Sequence, residues 1–385
     1  MSRATPQTSA LAGRRVAFVL GTLDVGGAER QAMLAARHLR DRGAVVSVLG
    51  LSRPGAVLHA CRDDSISCDL VRFRWPCRKS SLLRGVARLA LALRRRRPEL
   101  VMAYTTWANV GAGLAWRLAG SRGCVWHQRD VYALTGHRVE RWAYRRCTAA
   151  VVNGAHQLAY LERSLGPRRP APTVFPNGVT LPPARADRAT WRRRLGIPDA
   201  ARVACMVANF RPEKDFVSLL RAWQRLGAGA APARVLVLAG AGEDEGRVRD
   251  LATALGIADS LRFAGQVEDI TGLLQAADVS VLSTHGEGMP NAVLEAMAAG
   301  LPVVGTDVAA LREALPACSH ALLAPPETVD ALAASLDRAL TDPQLARRLG
   351  DANRTEAQRR YSVAEYCAST ERLVCAQLQQ RPAHA

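Results

Sequence analysis

One stretch, residues 277–307, restricts what this chain can fold into more than any other. It reads ADVSVLSTHGEGMPNAVLEAMAAGLPVVGTD. The apolar run at 279–282 has the make-up of a buried strand, and a loop of small residues, 283–291, follows it. Residues 292–299 have helical spacing, Gly300 punctuates the end, and Val303 and Val304 open a second strand run. Strand, loop, helix, strand is a crossover, and a crossover demands a parallel sheet with a helix lying on its face. Glu287 sits in the loop and Glu295 about a turn into the helix, with seven residues between them. That spacing lets both carboxylates face a ligand at the helix N-terminus, on the C-terminal edge of the sheet where open α/β sheets bind ligands. Main-chain N–H groups there suit an anion such as a diphosphate. The carboxylates suit the hydroxyls of a ribose and a sugar. Two glutamates at this spacing are, by themselves, more often a loop acid and a helix-start acid; their neighbours decide the matter below.

The same rhythm runs through the rest of the chain. Strand runs are expected at 16–20, 45–49, 70–73, 100–103, 124–127 and 149–152, with helices at 28–42, 82–97, 108–119 and 155–164. The segment PRRPAPTVFPNGVTLPPARAD has no period and reads as a connector. Strands resume at 203–208 and 235–240, 261–270 reads as a strand and loop, and helices at 329–340, 343–359 and 362–379 finish the chain. Repeated strand–helix alternation implies parallel sheets covered on both faces. At 385 residues the chain exceeds one core of ordinary size. The expected division is 1–180 for a first domain, 181–360 for a second, and 361–385 for a terminal helix.

Several strand ends carry chemistry. After the first strand, Gly26 and Gly27 open a helix, the phosphate-facing start of a nucleotide-type domain. The pattern is not G-x-G-x-x-G, which weakens a dehydrogenase reading. YTTWAN (104–109) can line a cleft, with no role specified. In WHQRD, His127, Arg129 and Asp130 stand where the fifth strand meets the ligand edge, and His137 is the second choice. In the second half, NFRPEKDF follows a strand: Asn209, Arg211 and Lys214 lie beyond its end and Asp215 suits a helix cap. A guanidinium and an ammonium three residues apart can both reach a diphosphate. Gly240 and Gly242 permit close approach of a backbone.

The charge is uneven. Of a net +18, residues 1–180 hold 29 Lys and Arg against 10 Asp and Glu, whereas the remainder holds 23 against 24. The excess peaks at 72–97, where SSLLRGVARLALALRRRR sets leucines at helical spacing among arginines. Such asymmetry suggests an anionic partner: membrane phospholipid, a lipid-diphosphate acceptor or nucleic acid. The segment fits an amphipathic membrane-surface helix as well as an ordinary packed helix with a solvated end. Nucleic acid is disfavoured, because aromatics are 5% and no helix-turn-helix, RNA-recognition or zinc pattern occurs. Nine scattered cysteines (Cys61, Cys68, Cys77, Cys124, Cys147, Cys205, Cys318, Cys367, Cys375) with no C-x-x-C support neither a zinc site nor a disulfide framework. No apolar run approaches the roughly 18–20 residues that span a bilayer, and the first fifteen residues lack a signal-peptide core. A cytoplasmic protein is expected, with peripheral attachment to the inner membrane face as the reading that 72–97 invites.

These motifs together resemble the retaining glycosyltransferases of family 4, enzymes of the GT-B fold. The family pattern is a pair of glutamates in an EG-x-PN context. Glu287, Gly288, Pro290, Asn291 and Glu295 match it, as does the following EAMAAGLPVV. Arg211 and Lys214 match its R-x-x-K, Gly26 and Gly27 its glycine loop facing the donor phosphates, and FPNGV (175–179) its first-domain closing segment. The usual Gly-Gly-x-x-Glu after Asp307 is altered: Ala309 and Ala310 replace the glycines while Glu313 remains, which puts the local loop geometry in question.

The resemblance implies two Rossmann-like, doubly wound parallel-sheet domains facing a central cleft, with the last helix crossing back to the first. It implies that His127 contacts the donor sugar and helps shape the acceptor site, with Arg129 and Asp130 beside it. It also implies that residues near Gln266 and Val267 pack on the nucleotide base. The expected reaction moves a sugar from a UDP- or GDP-sugar to a hydroxyl of a lipid-linked or cell-surface glycan precursor, with retention. Asn209, Arg211, Lys214, Gly240, Gly242 and the 288–291 segment with Met289 hold the donor. Glu295 takes the ribose and Glu287 the sugar. Arg211 and Lys214 also stabilise the leaving diphosphate, in place of a metal or other cofactor. There is no Asp-x-Asp. Alternatives are a sugar-nucleotide epimerase or hydrolase on the same scaffold and, less favoured, a basic nucleic-acid-binding protein.

Overall fold

The computed structural model describes residues 10–24, 26–75, 78–131, 133–227 and 232–380; Cys77, part of the basic segment and the first nine residues lie outside these. The chain forms two units, Met1–Gly178 with Val363–Ala385, and Val179–Ser362.

Unit 1 is built on seven parallel strands: β1 (Arg15–Leu20), β2 (Val45–Gly50), β3 (Ser67–Leu70), β4 (Leu100–Tyr104), β5 (Gly123–Gln128), β6 (Ala149–Val152) and β7 (Thr173–Val174). Their order is β3-β2-β1-β4-β5-β6-β7. Central strands β4, β5 and β6 are buried throughout, the reason their sequences are continuous apolar runs without alternation. The helices are α1 (Gly27–Asp41), α2 (Ala56–Asp63), α3 (Lys79–Arg96), α4 (Thr106–Ala115), α5 (Arg138–Arg146) and α6 (His156–Leu165).

Two expectations need correction. The third strand is at 67–70, not 70–73. Val71, Phe73 and Trp75 alternate into the core after the strand has ended, so an apolar run that runs off the sheet edge mimics a strand. Helix α5 lies outside the expected helices: its nine residues RVERWAYRR set Val139, Trp142, Ala143 and Tyr144 among four arginines and a glutamate, too short a stretch to show a helical period. It is held by a capping box in which His137 Nδ1 accepts the Val139 N–H (3.1 Å) and Glu140 accepts the His137 N–H (3.1 Å). His137 is thus a helix cap, its ring edge-on to Trp75.

Unit 2 has six parallel strands: β8 (Arg202–Val207), β9 (Arg234–Ala239), β10 (Leu261–Gly265), β11 (Val279–Leu282), β12 (Val303–Thr306) and β13 (Leu323–Ala324), ordered β10-β9-β8-β11-β12-β13. Around them lie α7 (Arg188–Arg194), α8 (Phe216–Arg225), α9 (Glu245–Ala254), α10 (Ile270–Ala276), α11 (Asn291–Ala299), α12 (Ala309–Ala314), α13 (Val329–Thr341) and α14 (Pro343–Arg360). Ala309 and Ala310 begin α12 and are not among the residues of positive φ, so the glycine pair is dispensable here.

The last helix, α15 (Val363–Gln379), belongs to unit 1. Its Tyr366, Cys367, Val374 and Leu378 join the core containing Phe18, Leu20 and Tyr104, and Glu371 pairs with His38 (2.9 Å) and Arg42 (3.0 Å) of α1. No helix among the described residues is long and apolar enough to cross a membrane. The eight described cysteines are free thiols; burial pushes that of Cys205 up to about 12.

Candidate functional site

In unit 2 the strand order reverses between β8 and β11. Helices leave two such strands in opposite directions, which opens a crevice at their carboxyl ends. The loop after β8 carries Asn209, Arg211 and Lys214; the loop after β11 carries Glu287, Gly288, Met289 and Pro290. Residues far apart in sequence therefore arrive at one sheet edge.

The two loops are stitched together. Asp215 N–H donates to the Ser283 carbonyl (3.1 Å), His285 N–H to the Glu213 carbonyl (3.0 Å), and the Thr284 hydroxyl to that same carbonyl (2.9 Å). Thr306, at the end of β12, fixes Thr284 from the other side: its Oγ1 donates to the Thr284 carbonyl (2.7 Å) and accepts the Thr284 N–H (3.0 Å). Lys214 Nζ forms an ion pair with the Glu287 carboxylate, the two side chains 14% and 11% exposed. Asp215 caps α8 by accepting the Ser218 N–H (3.0 Å), and Phe210 stacks on Phe216 at 4.6 Å, which fixes the root of the cationic loop. Asn209 and Arg211 remain exposed.

Pro290 precedes α11, and the helix has no side-chain cap. Gly288, Met289 and Pro290 are buried, Asn291 is half-buried, and Glu295 in the second turn is 3% exposed. Gly240 and Gly242 have a packing reason for lacking a Cβ. At Gly240 (φ +145°) it would strike the Ala208 carbonyl, and at Gly242 the Phe210 carbonyl. The glycines let the loop after β9 lie directly on the cationic loop. Gly240 N–H reaches the Gly265 carbonyl (2.7 Å), which links in the end of β10, where Gln266 is exposed and Val267 half-buried.

The remaining candidates belong to unit 1. Gly26 and Gly27 begin α1; a Cβ on Gly26 would meet the Glu29 carboxylate, which curls back over it. Along β5 the pleat divides the WHQRD residues. Trp126, Gln128 and Asp130 form one hydrogen-bonded series, Trp126 Nε1 to Gln128 Oε1 (2.9 Å) and Gln128 Nε2 to Asp130 Oδ1 (2.9 Å). His127 and Arg129 take the other face. His127 is 2% exposed; its ring stacks on Tyr104 (4.2 Å, 8°), and Nδ1 lies 3.2 Å from the Ala103 carbonyl. Since a carbonyl only accepts, Nδ1 carries the proton. Burial first, then the nearby Arg129 charge, hold His127 well below the usual 6.5, so the ring is neutral near pH 7.

Arg129, 9% exposed, donates to Asn177 Oδ1 (2.6 Å) and to the Tyr366 hydroxyl (3.4 Å) and lies over the Tyr104 ring. Unit 1 also has its own order reversal, between β1 and β4. There Thr105 has φ 74° and ψ 160°, a region that suits glycine, and its Oγ1 fills the space a Cβ on Gly21 would need. Thr105, Gln128, Asn177 and Tyr366 were not singled out from sequence as site residues. The pleat along β5 would have flagged Gln128; Thr105 and Asn177 fall within YTTWAN and FPNGV, and nothing local flags Tyr366. Among the described residues no group of three or more His, Cys, Asp or Glu is placed to hold a metal ion.

Comparison with known proteins agrees with this architecture. Residues 187–356 match the family described as Glycosyl transferases group 1, and residues 25–181 that described as Glycosyltransferase Family 4. The chain is 31% identical over 283 residues to the lipopolysaccharide core biosynthesis glycosyltransferase LpsE of Rhizobium meliloti strain 1021, covering 73% of this chain and 76% of that one. It is 28% identical over 358 residues to the 2-deoxystreptamine N-acetyl-D-glucosaminyltransferase of Streptomyces fradiae, covering 84% and 85%. Among solved structures, Anabaena HepE in complex with UDP and glucose superposes with a TM-score of 0.82 at 20% identity, over 94% of this chain and 99% of that one. WaaG, a glycosyltransferase involved in lipopolysaccharide biosynthesis, gives 0.72 at 18%, over 95% and 100%. The chain is a glycosyltransferase of the GT-B type and belongs to glycosyltransferase family 4.

Proposed function

We propose that the enzyme moves a sugar, with retention and without a metal, from a uridine or guanosine diphosphate sugar to a hydroxyl of a lipid-linked or cell-surface glycan precursor. The observation that carries this reading is the stitching of the Lys214 loop to the Glu287 loop at the β8–β11 reversal, which pairs Lys214 with Glu287 just ahead of α11 and leaves Arg211 exposed on the same loop. The leaving group is a nucleoside diphosphate, so the barrier falls when charge developing on its phosphates meets preorganised donors. Arg211, Lys214 and the 288–291 main chain take that part. Glu295 accepts hydrogen bonds from ribose hydroxyls and Glu287 from sugar hydroxyls; neither acts as a glycosidase acid or base. The acceptor oxygen bonds to the anomeric carbon on the face the diphosphate leaves, the carbon–oxygen bond to phosphate breaks, and the departing phosphate oxygen takes the acceptor proton. Neutral His127 orients Tyr104 and Arg129 and presents no charge to the donor sugar, while Arg129 and Asp130 serve the acceptor side. Gly26 and Gly27 admit the donor phosphates at the start of α1, and Gln266 and Val267 lie against the base.

Relatives named for lipopolysaccharide work support a glycan acceptor. The outer faces of α3 and α5 support a membrane-borne one: Leu83 (72% exposed), Leu91 and Trp142 project among Arg84, Arg88, Arg94 and Arg141. A thermal-shift screen of UDP, GDP, ADP and their sugars tests the class and assigns the base. Anomeric analysis of the product by NMR tests retention, turnover in EDTA tests metal independence, and turnover of donor alone would favour the epimerase or hydrolase. Salt-sensitive sedimentation with anionic liposomes tests the membrane face.

A further inference from the structure

Strands β11 and β12 pair in parallel only as far as Leu282 and Gly305. Beyond that point the ladder stops, yet Thr284 and Thr306 are 0% and 2% exposed, so the main-chain groups of Thr284 need partners other than water. One hydroxyl serves both of them. Thr306 Oγ1 accepts the Thr284 N–H (3.0 Å) and donates to the Thr284 carbonyl (2.7 Å). A hydroxyl can do so because one atom carries a donor and two acceptor lone pairs. Valine has nearly the same shape and can do neither.

With its backbone held from β12, Thr284 turns its own hydroxyl the other way, to the Glu213 carbonyl (2.9 Å). It stands opposite Lys214 in an isolated antiparallel bridge, closed by the Asp215 N–H to the Ser283 carbonyl (3.1 Å) and the His285 N–H to the Glu213 carbonyl (3.0 Å). A series of hydrogen bonds thus runs from β12, through the loop after β11, to the loop after β8, in the sheet order β8-β11-β12. We infer that Thr306 is a positioning residue of the donor site: acting through Thr284, it sets the place of Lys214 against the diphosphate. This rests on the donor-site reading above and adds to it a residue that acts only through others. A lysine ammonium rides on a flexible stem, so its charge is preorganised only where the backbone beneath it is fixed.

The test is calorimetric titration of the full chain with UDP, GDP and ADP, using whichever binds wild type most tightly to compare the variants, with circular dichroism to show that each is folded. Thr306→Val should weaken binding about tenfold, and Thr306→Ser should stay within about twofold of wild type. In a Lys214→Met background, itself weaker than wild type, Thr306→Val should add less than about twofold, since the two act in one series. Thr271→Val is the control: that threonine is also buried, its hydroxyl donates to the Pro182 carbonyl (2.7 Å), and its loss should leave affinity unchanged. If Thr306→Val does not fold, Thr284→Val decides, because it keeps the backbone bonds to Thr306 and removes only the hydroxyl that reaches Glu213; about fivefold weaker binding is expected. Wild-type affinity in the deciding variant overturns the assignment, as does a serine variant no better than valine, an equal loss in Thr271→Val, or a full tenfold loss without Lys214. If wild type binds none of the three nucleotides, or Lys214→Met binds as wild type does, the donor-site reading itself fails and the role of Thr306 goes with it.

Discussion

The two units solve one geometric problem in opposite ways. Each has a parallel sheet whose order reverses once, β1 against β4 and β8 against β11, and each places polar groups at that reversal. In unit 2 the groups on the two loops bind one another: Lys214 meets Glu287, and Thr284 and Thr306 sew the loops in register. In unit 1 the charged candidate turns inward, Arg129 being tied to Asn177 and Tyr366, and the reversal itself carries a strained Thr105. A site that reads a fixed diphosphate gains from rigid, preorganised charge. At the other edge the cation is sheltered, an arrangement in keeping with the proposal that this unit serves the acceptor side.

The sharpest break of this contrast is chemical. Lys214→Ala and Glu295→Ala should each reduce transfer by about 100- to 1,000-fold with the fold intact; near-wild-type turnover in either would remove unit 2 from the chemistry. Next in size is Gly242→Ala. Its Cβ would collide with the Phe210 backbone, so a loss of about 1–3 kcal/mol in denaturant unfolding is expected, together with weaker donor binding; an unperturbed variant would mean that the loops are not packed as described.

In unit 1 the largest expected effect is a pH dependence. His127 is held well below 6.5 in the fold, so the unfolded chain takes up a proton that the folded chain refuses. Stability therefore rises with pH through the window below 6.5 and is lost on acidification, by up to about 1.4 kcal/mol per pH unit for one such group. Unfolding midpoints between pH 5 and 7.5 should fall less steeply in His127→Asn; an identical slope would show that the ring is not sheltered. Smaller again, Thr105→Gly should stabilise by about 1 kcal/mol, because relief of strain worth about 1–3 kcal/mol exceeds the entropy cost of glycine. A drop in melting temperature would show the backbone there to be unstrained. Least of all, Leu83→Ser with Leu91→Ser should leave solution turnover unchanged while reducing liposome sedimentation; equal sedimentation would detach α3 from any membrane role.

Much of the architecture was legible because its signals are local. Apolar runs marked β6 and β11 with the bounds they have, and helical spacing found α11, α13 and α14 to within a residue or two. Where those signals mislead, the cause is visible. Val71 and Phe73 are buried beyond the end of β3, and α5 is a helix of nine residues whose start is fixed by its cap. The glycine motifs were legible as glycines but not in purpose: Gly240 and Gly242 make room for the neighbouring loop's carbonyls.

The sequence by itself determined the alternation, and with it the parallel sheets and the family, since strand and helix periods and loop chemistry need only near neighbours. Only the tertiary structure decided which loops meet. Lys214 and Glu287 are 73 residues apart, and they touch because β11 adds to the sheet beside β8, not beside β10. It also decided that His127 stacks on Tyr104 while Gln128 turns to Trp126 and Asp130, and that Tyr366 of the last helix completes the surroundings of Arg129. Strand order and burial depend on every segment of the sheet at once, so no single stretch of the chain encodes them.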